Sequence, residues 1–189
     1  MSWVKVGKNI PVKNADFQNI ICNLLFLCPV CTRHTQKGNK TKFKPVSMRK
    51  CDFHSRGIRG NLLTTILADI RRPLIKVNGY ASLAPDDDVE KAMSSIIQSS
   101  TNSDANFEVL VYKTRSDMPD SEAIFYYIRN AFAHGSFEYV PEKQLYLLES
   151  KKKDEVKAQM RLKESTLLHY SQLARMDARE ILKLQGKKK

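Results

Sequence analysis

From Val156 to Lys163 the chain reads V-K-A-Q-M-R-L-K, apolar and polar residues alternating without a break. A period of two fits an extended strand with one buried face and does not fit a helix. The chain must therefore contain a sheet element, and residues 145–149 are the expected partner strand. The charged turn Ser150-Lys151-Lys152-Lys153-Asp154 would close an antiparallel hairpin with one face on the remaining core.

Elsewhere the helical period dominates. Ile20, Ile21, Leu24, Leu25, Leu27 and Cys28 fit an amphipathic helix starting near Asn14 and ended or kinked at Pro29. A second runs from about Arg59 through Leu62, Leu63, Ile66, Leu67 and Ile70 to Arg72, with Pro73 as a stop or kink. The acids after Pro85 mark the start of a third, built on Val89, Met93, Ile96 and Ile97. Polar residues 99–106 read as linker, and residues 107–112 as a short strand or buried extended stretch. Ser165 or Thr166 is the expected cap of a last helix carrying Leu167, Leu168, Ser171, Leu173, Ala174, Ile181 and Leu182. The expected fold class is mainly α, a helical bundle with a small antiparallel β-hairpin before the last helix. A chain of 189 residues with 42% hydrophobic content can bury one core, so residues 1–189 are read as a single domain.

No apolar run reaches the roughly 18 residues of a membrane span, and Met1-Ser2-Trp3-Val4-Lys5 does not begin a signal peptide. A cytoplasmic protein with no membrane partner is expected. The formal net charge of +12 favours a polyanionic partner. Arg33, Lys37, Lys40, Lys42, Lys44, Arg49, Lys50, Arg56 and Arg59 stand against the single acid Asp52, so residues 33–59 alone hold a net charge of +8. With Gly38, Pro45 and Gly57 and no sustained period, this segment reads as a basic loop insertion. Arg33, Lys37, Lys40, Lys42, Lys44, Arg49 and Lys50 are its candidate nucleic-acid contacts, and a solvated loop is the alternative. Residues 185–189 read as a disordered basic tail ending in Lys187-Lys188-Lys189.

Two cysteine-bearing pairs, Cys28 with Cys31 and Cys51 with His54, each enclose two residues, a spacing that tetrahedral zinc sites use. The alternative is that the cysteines act as small hydrophobes in an apolar helix. Neither a phosphate-cradling glycine loop, a G-x-S-x-G turn nor an H-E-x-x-H helix occurs.

The chemistry concentrates in Ile128-Arg129-Asn130-Ala131-Phe132-Ala133-His134-Gly135-Ser136. The enclosing helix is expected over residues 121–134, with cap chemistry from Pro119-Asp120-Ser121-Glu122 and a stop at Gly135. Ile124, Phe125, Ile128, Ala131 and Phe132 form one apolar stripe, while Arg129, Asn130, Ala133 and His134 share the other side. An arginine fork can hold a phosphate and stabilise charge building on it, and a histidine exchanges protons near neutral pH.

The run R-N-A-F-A-H-G-S-F, preceded by an aromatic-rich helix, resembles the HEPN superfamily signature, and in particular the branch found on plasmids and in defence or toxin loci. The resemblance covers residues 14–184, most closely 119–184. It implies a HEPN-like helical bundle that forms a homodimer around the motif and, in many members, cleaves RNA without a metal or other cofactor. Arg129, Asn130 and His134 would be the catalytic residues, with products ending in 2′,3′-cyclic phosphate. It also implies a toxin–antitoxin setting in which a neutralising protein controls the chain. HEPN toxins governed by nucleotidyltransferase antitoxins carry a tyrosine two positions after the motif histidine, where this chain has Ser136 and only later Tyr139. A noncatalytic nucleic-acid or nucleotide-binding module and an interaction scaffold are the alternative functions.

Overall fold

The structure, a computed structural model, describes residues 4, 10–35, 41–47, 51–100 and 107–186. Helix α1 spans Ala15–Ile20 and continues as a π-helical stretch, Ile21–Phe26. Asn14 caps it, its side-chain oxygen accepting from the N–H groups of Asp16 and Phe17. Strands β1, Cys31–Thr35, and β2, Thr41–Pro45, form an antiparallel pair. They are followed by α2, Asn61–Ile75; β3, Tyr80–Leu83; α3, Val89–Ser99; and β4, Val109–Lys113. Then come α4, Asp120–Ala133; β5, Phe137–Val140; β6, Leu145–Lys152; and β7, Glu155–Lys163. Helices α5, Glu164–Arg175, and α6, Ala178–Gly186, close the chain.

The expected mainly helical bundle is overturned. Among the described residues helix accounts for 46% and strand for 24%, and the strands build a five-stranded mixed sheet in the order β3-β4-β7-β6-β5. The 145–163 hairpin does form, but as the centre of that sheet rather than as an appendage. Strands β3 and β5, missed from sequence, carry no readable period, while β4 falls on residues 107–112, read as a short strand or buried extended stretch. β3 and β5 are four residues each. β4 is buried at every position, as a strand covered on both faces must be, so alternation disappears. β3 and β4 pair in parallel with α3 as the crossover between them.

Helix α3 covers one sheet face, where Val89 and Met93 pack on Val109, Val111 and Val156. The other face carries Leu110, Tyr112, Tyr146, Leu148, Ala158, Met160 and Leu162 into the main core with the remaining helices. Val156 and Ala158 therefore lie in different clusters although their sequence spacing places them on one face. The reason is a register shift at Ser150/Lys151. Ser150 pairs with Ala158 and Lys151 with Val156, which leaves Lys157 as the extra residue of a β-bulge.

Helix α2 runs two residues past Pro73 instead of stopping there, the proline removing one N–H from the ladder without ending it. Neither Ser165 nor Thr166 caps α5, which starts one residue earlier at Glu164, and a break at Met176 and Asp177 divides the expected last helix into two. Of the segment expected to be a disordered tail, Gln185 and Gly186 are helical and Gln185 Nε2 donates to Thr65 Oγ1 at 2.7 Å. Residues 187–189 lie outside the described residues. Among those described, no helix is long and apolar enough to cross a membrane.

Candidate functional site: a cationic cleft at the end of helix α4

Helix α4 is a fixed platform. Ile124, Phe125 and Ile128 are fully buried, as the apolar stripe required, and each contributes about 1.5–3 kcal/mol by leaving water. None of Pro119-Asp120-Ser121-Glu122 makes the expected side-chain cap; Ser121 and Glu122 are buried instead. The far end closes through hydrogen bonds from Gly135 N–H to Phe132 O at 3.2 Å and from Ser136 N–H to Ala131 O at 2.8 Å. This is a Schellman closure, with Gly135 at φ +65° supplying the left-handed residue it needs.

His134 is the exposed C-cap residue of this closure, and Arg129 and Asn130 are half-buried one turn earlier. Arg129 Nη1 donates to Asn130 Oδ1 at 3.1 Å, so the amide orients the guanidinium. All three residues line one open cavity of about 770 Å³. That size lies within the range of ligand sites, about 300–1,000 Å³.

The rest of the lining comes from distant sequence. Lys113 and Arg115 come from the end of β4 and the loop after it, and Lys151, Lys152, Lys153 and Lys157 from the β6–β7 hairpin. Among the described residues that makes, with Arg129, seven cations against two carboxylates, Asp117 and Glu149. Both carboxylates are engaged. The Arg115 fork grips Asp117 at 2.8 and 2.6 Å, holding that carboxyl below its ordinary range. Glu149, 3% exposed, receives Gln159 Nε2 at 2.8 Å and pairs with Lys151 at 2.7 Å. Outside the lining, Glu155 bridges Lys113 and Lys157 at 2.6 and 2.5 Å, and these bonds hold its carboxyl down at about 2. Among the described residues, Arg129, Lys152 and Lys153 carry no ion pair. Their charge is available to a bound anion.

The segment 33–59 is not a continuous loop, since residues 33–35 and 41–45 are paired in the β1–β2 hairpin. Arg33, Lys42 and Lys44 are exposed on that hairpin, and none of them lines the cleft. Lys37, Lys40, Arg49 and Lys50 lie outside the described residues. Four of the cleft's cations come instead from the 150–154 turn, read only as a turn, and from Lys157, which the bulge sets out of the strand's alternation. That turn's run of three lysines was the available signal.

Among the described residues no group of three or more His, Cys, Asp or Glu is arranged to hold a metal ion. Cys28, Cys31, Cys51 and His54 do not converge as the zinc spacing suggested. Burial pushes the Cys28 and Cys31 thiols up to about 12, Cys51 is half-buried, and the His54 ring stacks on Phe43 with centroids 3.8 Å apart.

Fold and site together define a mixed α/β protein with a cationic cleft built around an Arg-Asn-His helix end. Comparison with protein-family models, with curated proteins and with solved structures finds no match to this chain.

Proposed function

We propose that the chain is a metal-independent endoribonuclease using HEPN-type chemistry, serving a toxin or defence system, with the cleft as its active site. The observation that carries this reading is the convergence of Arg129, Asn130 and His134 on one open cavity with the hairpin lysines. The lysines hold the phosphate backbone. His134 takes the proton from a ribose 2′-hydroxyl, the 2′-oxygen attacks the adjacent phosphorus, and Arg129 stabilises the charge on the phosphorane. The bond to the 5′-oxygen breaks, that oxygen leaves with a proton, and a 2′,3′-cyclic phosphate remains. Positive charge suits this step, and the cleft's two carboxylates are already bound to cationic side chains.

One chain presents a single imidazole to the cleft. In a two-fold homodimer with facing clefts, the second copy's imidazole supplies the leaving proton; in a monomer, water does. An antitoxin for such an enzyme would cover the cleft with an acidic surface.

That single imidazole beside seven cations also favours a second reading, a noncatalytic RNA-binding module. The two separate when RNA is incubated with wild-type and His134→Ala protein in chelator, scoring new ends and retention together. Cleavage by wild type alone supports the nuclease. Retention without new ends from either protein supports the module, and undiminished cleavage by the variant removes His134 from the chemistry.

A further inference from the structure

A second cavity, of about 170 Å³, lies beside the first turn of α4. Its lining includes Glu122, Cys31, Ile58 and Leu63, all buried, together with the exposed Arg33 and Arg59. Phe43 and His54 also border it, their rings stacked at 3.8 Å and 22°. Glu122 is only 3% exposed, and Cys31 Sγ donates to its Oε1 at 3.9 Å. Nothing in the cleavage chemistry uses this carboxyl.

The cavity adjoins the cleft. Arg33 N–H donates to Asp117 O at 3.0 Å, and Arg33 lines the small cavity while Asp117 lines the cleft. Glu122 and Arg129 stand on the same helix seven residues apart, about 10 Å along its axis. An RNA strand fixed by its phosphates at Arg129 thus passes within reach of the cavity.

The lining suits an unstacked base. Proteins read single-stranded RNA by stacking splayed bases on aromatic or guanidinium planes and bonding their polar edges. In its ionised form a carboxylate accepts two N–H groups, and an arginine fork donates to two acceptors. Guanine alone among the four bases offers both, with N1–H and the 2-amino group on one edge and O6 and N7 on the other. Burial lifts the Glu122 carboxyl to about 7, so both its donor and its acceptor forms are populated near neutrality.

We propose that this cavity receives one unpaired guanine of the strand held in the cleft, Glu122 accepting from its Watson–Crick edge and Arg33 donating to O6 and N7. The inference rests on the cleft being an RNA site, and it makes cleavage selective for sequence next to a guanine.

The test measures salt-dependent binding of wild-type protein to short uridine-only RNAs and to the same RNAs with one guanosine, adenosine or inosine. Guanosine should tighten binding roughly tenfold over adenosine, with inosine, which lacks the 2-amino group, losing most of that gain. Glu122→Gln and Arg33→Ala should bring the guanosine-to-adenosine ratio towards one. Should a variant fail to fold, the base series on wild type decides by itself. Equal affinity for guanosine and adenosine RNAs, with uridine RNA still bound, overturns the guanine site and leaves the cleft reading intact. Failure to bind any RNA overturns the cleft reading and this inference with it.

Discussion

The carbonyl of Ser136 accepts a hydrogen bond from the N–H of Glu149 at 2.9 Å. This bond ties the end of α4, where His134 sits, to the strand that carries Lys151 and Lys152. His134 and the hairpin lysines are therefore joined through the Gly135 closure and this bond.

Replacing Gly135 by alanine forces a Cβ into a φ of +65°. The cost should be about 1 kcal/mol, a fall in Tm of about 2–4 °C for a chain of this size. Because His134 is the adjacent cap residue, RNA cleavage should fall by more than the folded fraction does. Differential scanning calorimetry with a turnover assay checks both, and an unchanged Tm would contradict the closure.

Lys152 and Lys153 carry no ion pair among the described residues, so their charge is free for phosphate. The Lys152→Gln/Lys153→Gln variant should bind RNA more weakly and flatten the log–log salt dependence by about 0.7 for each phosphate that is no longer neutralised. A slope equal to that of wild type would place the backbone elsewhere.

The site was half legible in the sequence, and the half that was missed has a physical cause. Arg129, Asn130 and His134 could be grouped because helical spacing is local, and the closure at Gly135 could be read from one residue. The start of α1 near Asn14 was readable for the same reason. The lysines were not, since their arrival at the cleft depends on β6 and β7 pairing beside β4 and on a bulge that turns Lys157 out of its strand's alternation. Strand pairing is nonlocal, and no period within one segment announces its neighbour. The densest run of charge in the sequence, residues 33–59, places Arg33, Lys42 and Lys44 on a separate hairpin outside the cleft. The helical-bundle expectation failed because β3 and β5 are too short to show a period, and β4, read as a short strand or buried extended stretch, is buried on both faces and lacks the alternation that would have tied it to a sheet.

Burial raises the Glu122 carboxyl from 4.5 to about 7. Between those values the folded chain holds a proton that the unfolded chain has released, so stability falls as pH rises through this window and levels off above it. The loss is about 3 kcal/mol at 1.36 kcal/mol per unit. Urea denaturation at about pH 5 and pH 8 should show wild type losing that amount relative to Glu122→Gln, which has no proton to release. Parallel pH profiles for the two proteins would refute the raised, buried carboxyl.

Arg129→Lys keeps the charge but loses the fork that Asn130 orients. Turnover should drop more than RNA affinity does, since the fork acts on charge that appears only in the transition state. His134→Ala should lower turnover by about 10²–10⁴-fold with RNA affinity nearly unchanged. Single-turnover kinetics beside equilibrium binding separates the two effects, and equal losses in both would reduce Arg129 to a binding residue.

The most direct measurement is the mass of the 3′ ends that the wild-type protein leaves on a defined RNA in the presence of chelator. Attack by the ribose 2′-hydroxyl, with His134 as base, predicts 2′,3′-cyclic phosphate ends and no cut where that ribose is replaced by 2′-deoxyribose. Ends bearing a free 3′-hydroxyl, cutting at the deoxy position, or intact RNA throughout would contradict it.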